Sequence, residues 1–184
     1  SYKEYKVLSL IDSEGFLEKE LASTFKEFFD TFTKSTSGTY KFLPFTFNAS
    51  VNKKDDSAIG EGEQRWQEPW FGGLKAEIEL DKVGFTLIDD DATVTHHQQH
   101  IIRTSCLSTL DRTSAVQRQL SDYQTLHMLN AVLNLPQSSP AAFKAPPPDM
   151  LQWLAKAWVS LANTIAFQYA GTEAKKTDII LTGK

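Results

Sequence analysis

The chain has 184 residues, 41% hydrophobic and 11% aromatic, enough to bury one sizeable core and to suggest one domain. A formal net charge of −4 and a pI near 5.6 exclude a generally basic polyanion binder, nucleic-acid binders included, while leaving room for a local basic pocket. No apolar run reaches the roughly 18 residues a membrane-spanning helix needs, and the single cysteine cannot form an intrachain disulfide.

Tyr5 to Ile11 is rich in β-formers and stops at Asp12-Ser13-Glu14-Gly15, which predicts a strand followed by a turn. Leu17, Leu21, Phe25, Phe28 and Phe32 then recur every three or four residues, the stripe of an amphipathic helix that Ser35 to Gly38 breaks. Lys41 to Phe47 reads as a second strand and Ser50 to Gly62 as a polar loop. Trp66, Trp70 and Phe71 surround Pro69 and Gly72-Gly73 and read as core or loop anchors rather than ligand-stacking rings. Leu74 to Leu80 predicts a short helix, and Gly84 to Ile88 a strand. The acidic Asp89-Asp90-Asp91 that closes it is the usual composition of a solvated hairpin tip.

Two longer helices are predicted next. Val116, Leu120, Tyr123, Leu126, Leu129 and Leu133 share the face of the first. After a loop with Pro136, Pro140 and Pro146-Pro147-Pro148, Asp149 is placed as N-cap of the second, with Gly171 as its stop. Its expected buried stripe is Met150, Leu154, Ala157, Trp158, Leu161, Ile165 and Tyr169. Strands interleaved with helices indicate an α/β fold, a central sheet flanked by helices.

Arg103-Thr104-Ser105-Cys106-Leu107-Ser108-Thr109-Leu110-Asp111-Arg112-Thr113 carries the chemical signal, between an apolar strand and a strong helix. Cysteine, five residues, arginine and a hydroxyl residue is the spacing of a cysteine-phosphatase loop. Five residues allow the backbone to curl so that successive N–H groups cradle phosphoryl oxygens, with the following helix aiming its positive end at them. That field favours the reactive thiolate of Cys106. Arg112 can grip two equatorial oxygens in its planar fork, and Thr113 can donate a hydrogen bond to the sulfur. The spacing alone is common by chance, and a lone cysteine is usually an inert buried hydrophobe. His96, His97 and His100 precede the loop, but no cysteine cluster accompanies them, so a metal site is not expected.

The segment from Arg103 to Gln117 resembles the signature of Sac-domain phosphoinositide phosphatases, R-T-N-C-x-D-C-L-D-R-T-N followed by V-V-Q. Further similarity lies in Ala157-Trp158 to Asn163, Gln168-Tyr169-Ala170-Gly171-Thr172, Lys176-Thr177-Asp178 and Thr182-Gly183-Lys184. These resemble the family's A-W-x-x-x-A-N, Q-Y-A-G-T, K-T-D and T-G-K segments. Weaker similarity covers Ser9 to Gly15, Phe45-Thr46-Phe47 and Gly84 to Asp89. The resemblance implies a cysteine-phosphatase-like active loop between a strand and a helix. It implies a phosphoric monoester hydrolase of lipid metabolism and membrane trafficking, acting on phosphatidylinositol phosphates through a phosphocysteine and without a cofactor. Its setting would be cytoplasmic and peripheral on membranes, with phosphoinositide headgroups as partners. Cys106 would be the nucleophile, Arg112 the phosphate clamp and Thr113 the support of the thiolate. Asp111 would shape the loop or take over proton transfer. Leu107, Ser108, Thr109 and Leu110 would line the phosphate, Arg103 would add positive charge, and Lys175 and Lys176 could contact inositol phosphates. Family domains are longer than this chain, so residues 1–184 would be the catalytic portion, with an N-terminal subdomain absent and the C-terminal end truncated. Apolar surface is then expected to be exposed around Trp66, Trp70 and Phe71.

Departures from the pattern bear on activity. Ser108 stands where the family has an aspartate and cannot act as a carboxylate acid or base. Thr109 replaces the second cysteine, Ser105 and Ser114 replace asparagines, and Ser160, Leu161 and Asn48 replace other family residues. Loss of one general acid costs about two to four orders of magnitude in rate. The competing expectation is therefore a weak or inactive module that binds phosphoinositides or a protein partner. A phosphoprotein phosphatase would share the loop but not the later matches.

Overall fold

In the computed structural model, residues 2–13, 15–47, 69–108, 111–175 and 177–182 are described. The chain divides into two compact units, Ser1–Lys53 with Gly73–Leu107 and Lys54–Gly72 with Ser108–Lys184. The elements in order are β1 (Glu4–Ser9), α1 (Lys19–Ser35), β2 (Tyr40–Pro44), α2 (Pro69–Glu77), β3 (Leu87–Ile88), β4 (Val94–His96) and β5 (His100–Ser105), followed by α3 (Asp111–Val132), α4 (Pro148–Ala170) and α5 (Thr177–Thr182). The protein is α/β.

In the first unit, β1 lies between β2 and β5 and pairs parallel with both. The register sets Tyr5 beside Tyr40 and Ile101, and Val7 beside Phe42 and Arg103. Residues in register share a face, so this face is aromatic and aliphatic, and α1 packs on it. Phe25 and Phe29 meet Phe42 at 5.5 and 5.3 Å, and Phe32 meets Tyr40 at 5.3 Å. The sequence stripe is corrected here. Phe29 is the buried phenylalanine of α1, whereas Leu17 is 88% and Phe28 67% exposed. Adjacent phenylalanines give helical periodicity two solutions, and the sheet selects Phe29.

The opposite face carries Glu4, Lys6, Leu8 and His100. Lys6 is fully buried, and its Nζ donates to the Ile78 carbonyl at 2.7 Å and to Glu79 Oε2 at 3.1 Å, with Glu4 Oε2 also at 3.1 Å. A buried ammonium is tolerable only with such partners. Hydrogen bonds from Lys82 and Lys6 hold the Glu79 carboxyl down at about 2. His100 Nδ1 lies 3.6 Å from Glu4 Oε2, and burial, with Lys6 nearby, pushes its pKa below 6.5. The acidic tip is a hairpin: β3 and β4 pair antiparallel, and Asp89 Oδ1 accepts from the N–H groups of Asp91 and Thr93. Of the strand expected over Gly84–Ile88, only Leu87 and Ile88 pair, because Gly84 turns with φ at +69°.

The second unit is helical. On α3, Val116, Leu120, Tyr123 and Leu126 are buried as expected, while Leu133 is half-exposed. Asn130 secures the proline-rich connection, donating to the Phe143 carbonyl at 3.0 Å and accepting from its N–H at 2.9 Å. Helix α4 begins at Pro148, not behind an Asp149 cap, because proline's fixed φ is preorganised for a first helical position. It ends at Gly171, whose φ of +69° suits glycine and whose N–H reaches the Phe167 carbonyl. Its buried line is Ala155, Ala162 and Ala166 rather than Leu161 and Tyr169, which are exposed. Ala162, Ala166, Ala174 and Ile180 form one cluster, flanked by Trp158 and Val159; such small residues bring helices close. The expected apolar exposure is also revised. Phe71 is fully buried with its ring 5.8 Å from Tyr123's, Trp70 is half-buried, and Trp66 lies outside the described residues, as do Ser50 to Gly62.

Two measurements follow from the charged cluster. Lys6→Met takes the ammonium from the Ile78 carbonyl and from Glu4, while Glu79 keeps Lys82, and should lower the urea-unfolding midpoint. His100 and Glu79 both bind fewer protons folded than unfolded, so each contributes stability at high pH that falls as pH drops. The His100 part is lost below about 6.5 and the Glu79 part below about 4.5 towards 2. His100→Asn should flatten the urea midpoint between pH 7.5 and 5.5 while leaving the acid limb, and an unchanged profile would refute the assignment.

Candidate active site

The parallel ladder continues past the strand ends. The Leu10 N–H donates to the Ser105 carbonyl at 2.7 Å, and the Phe45 N–H to the Ser9 carbonyl at 2.8 Å. Cys106 follows at the carboxyl end of β5 and is buried, 6% exposed. In open parallel sheets, ligands bind outside the carboxyl ends of strands. Leu107 next to it is 56% exposed and Ser108 half-buried; Thr109 and Leu110 lie outside the described residues. Helix α3 then opens with Asp111 and Arg112 half-buried and Thr113 2% exposed. Cys106 and Leu107 close the first unit and Ser108 resumes in the second.

Asp111 Oδ1 is buried and has no hydrogen-bond partner among the described residues. An unmatched carboxylate oxygen is costly, so its presence in the first turn of α3 calls for a chemical explanation. Arg103 stands in exposed β5 backbone context with its guanidinium over the Phe25 ring, 5.8 Å from the centroid. Lys175 is exposed between α4 and α5, and Lys176 lies outside the described residues. His96 stacks on Phe85 at 5.4 Å and His97 is exposed, whereas His100 belongs to the Lys6 cluster. Among the described residues no three His, Cys, Asp or Glu side chains gather as metal ligands. No helix is long and apolar enough to cross a membrane among the described residues.

Residue periodicity did not single out the polar core of the second unit. Arg118 Nε donates to Asp122 Oδ2 at 3.0 Å, and its Nη1 donates to the Ile180 carbonyl of α5. Both side chains are buried, so the pair ties α5 to α3. Its spacing of four residues was the available signal.

No family model matches the chain. Over all 184 residues it is 30% identical to phosphatidylinositol-3-phosphatase SAC1-B of Danio rerio. The chain belongs to the Sac-domain phosphoinositide phosphatase family. Phosphatidylinositol-3-phosphatase SAC1-A of the same fish is also similar along the whole chain, at 26% identity. The Drosophila melanogaster phosphatidylinositol-3-phosphatase SAC1 is 33% identical over 58% of the chain and 18% of its own length. This Sac chain spans 28% of the length of the two fish relatives.

The ion pair gives a stability test for this Sac chain. Arg118→Met strands the fully buried Asp122 and should cost about 3–5 kcal/mol, read by urea unfolding. Adding Asp122→Leu should recover most of the loss, because the uncompensated charge is then gone.

Proposed function

We propose that the chain supplies the catalytic loop of a phosphatase acting on phosphatidylinositol phosphates. The observation that carries this reading is similarity along the full chain to phosphatidylinositol-3-phosphatases, with Cys106 at the carboxyl end of a parallel strand and Arg112 in the first turn of the next helix. The Cys106 thiolate would attack phosphorus, forming the S–P bond as the P–O bond to the inositol breaks. The departing oxygen takes a proton, and water then hydrolyses the phosphocysteine to phosphate, returning the thiolate. N–H groups of residues 107–110 would hold the equatorial oxygens, Arg112 would clamp two of them, and Thr113 would support the sulfur. Lys175 and Lys176 would add positive charge for the anionic headgroup at a membrane surface.

Ser108 cannot deliver the proton that a carboxylic acid would. The Oδ1 of Asp111, without a hydrogen-bond partner among the described residues, supports this residue as the candidate replacement. In phosphate-release assays on a phosphoinositide panel, Cys106→Ser should abolish turnover and keep headgroup binding, whereas Arg112→Ala should impair both. Asp111→Asn should lower turnover about a hundredfold or more, and Ser108→Asp should raise it by up to about a hundredfold if proton transfer limits the rate. Absence of phosphate release in the parent and in Ser108→Asp, with Arg112-dependent binding retained, would replace the enzyme by a phosphoinositide-binding module.

A further inference from the structure

In the first unit an apolar groove of about 250 Å³ runs between α1 and the sheet, lined by Tyr5, Val7, Phe25, Phe28 and Phe32 among others, with Arg103 at its rim. Three of its rings are open to solvent: Phe28 is 67%, Phe32 40% and Tyr5 38% exposed. Aromatic surface gathered on one groove, rather than scattered singly, marks a place that binds something. Its size is below the range of drug-sized pockets. A narrow, almost wholly apolar lining of this size suits one slender hydrocarbon chain better than a folded partner.

Charge fixes the other end of the occupant. No lining residue is acidic, and Lys6 directs its Nζ away, to Ile78, Glu79 and Glu4 on the opposite face. Arg103 is the remaining cation of the groove, its guanidinium resting over Phe25 with no acidic partner among the described residues. A planar fork held on an aromatic ring keeps its N–H edge free for a carboxylate or phosphate. We infer that the groove binds a single acyl chain whose anionic head is held by Arg103. Neither Cys106 nor Arg112 lines this groove, so its occupancy is read by binding without turnover.

The test uses the full chain and two soluble probes of equal chain length, decanoate and decyltrimethylammonium, each below its micelle concentration, titrated by calorimetry and by NMR. Decanoate should bind saturably at one site and shift α1 and β5 resonances, at least tenfold more tightly than the cationic probe. Arg103→Gln should remove that preference, and Phe28→Asp, a change at an exposed ring, should weaken decanoate at least tenfold with the fold intact by circular dichroism. Non-saturable binding, equal binding of the two probes, or indifference to both substitutions would overturn the inference whatever the outcome of phosphatase assays.

Discussion

The structure of the first unit depends on one constraint: a parallel sheet is stable when both of its faces are covered. β1 is the middle strand, so its side chains alternate between the two faces. On one face the cover is aromatic, with Phe25, Phe29 and Phe32 of α1 against Phe42 and Tyr40. On the other face the central position is Lys6, and its ammonium is satisfied by the Ile78 carbonyl and by two glutamates. That requirement orders the turn after α2, where Glu79 is held at a φ of +50° that non-glycine residues seldom adopt. A hydrophobic residue at position 6 would need none of these partners.

The candidate site inherits its placement from the same sheet. Register with β1 sets where β5 stops, and Cys106 is the first residue beyond it. In the second unit a comparable role falls to Arg118, whose buried bonds to Asp122 and Ile180 hold α5 on the helix that starts with Asp111, Arg112 and Thr113. Among the described residues, each unit thus keeps a buried cation that is tolerable only with its partners in place. Loss of a partner is felt as an uncompensated charge, which is why such positions are sensitive to substitution.

Much of this was legible in the chain. A run of β-formers signalled β1, breakers at Ser35–Gly38 ended α1, and Gly171 stopped α4, because those signals are local and concern backbone conformation. The cysteine-to-arginine spacing and the later Gln168 to Thr172 match located the candidate site and family, since chemistry of this kind needs fixed residue types in a short span. Less legible were the faces. Phe28 or Phe29, and Leu161 or Ala162, differ by one residue, and only a neighbouring element chooses between them.

The sequence by itself determined the α/β class, the order of the main elements and the residues proposed to bear chemistry, because each is read within a few residues of chain. Only the tertiary structure decided that Lys6 is buried and that Asp111 keeps an oxygen without a partner among the described residues. A lysine in a strand ordinarily reads as a solvent-facing residue. Its burial depends on Ile78 and Glu79, more than seventy residues away in the chain, and no local pattern carries that pairing.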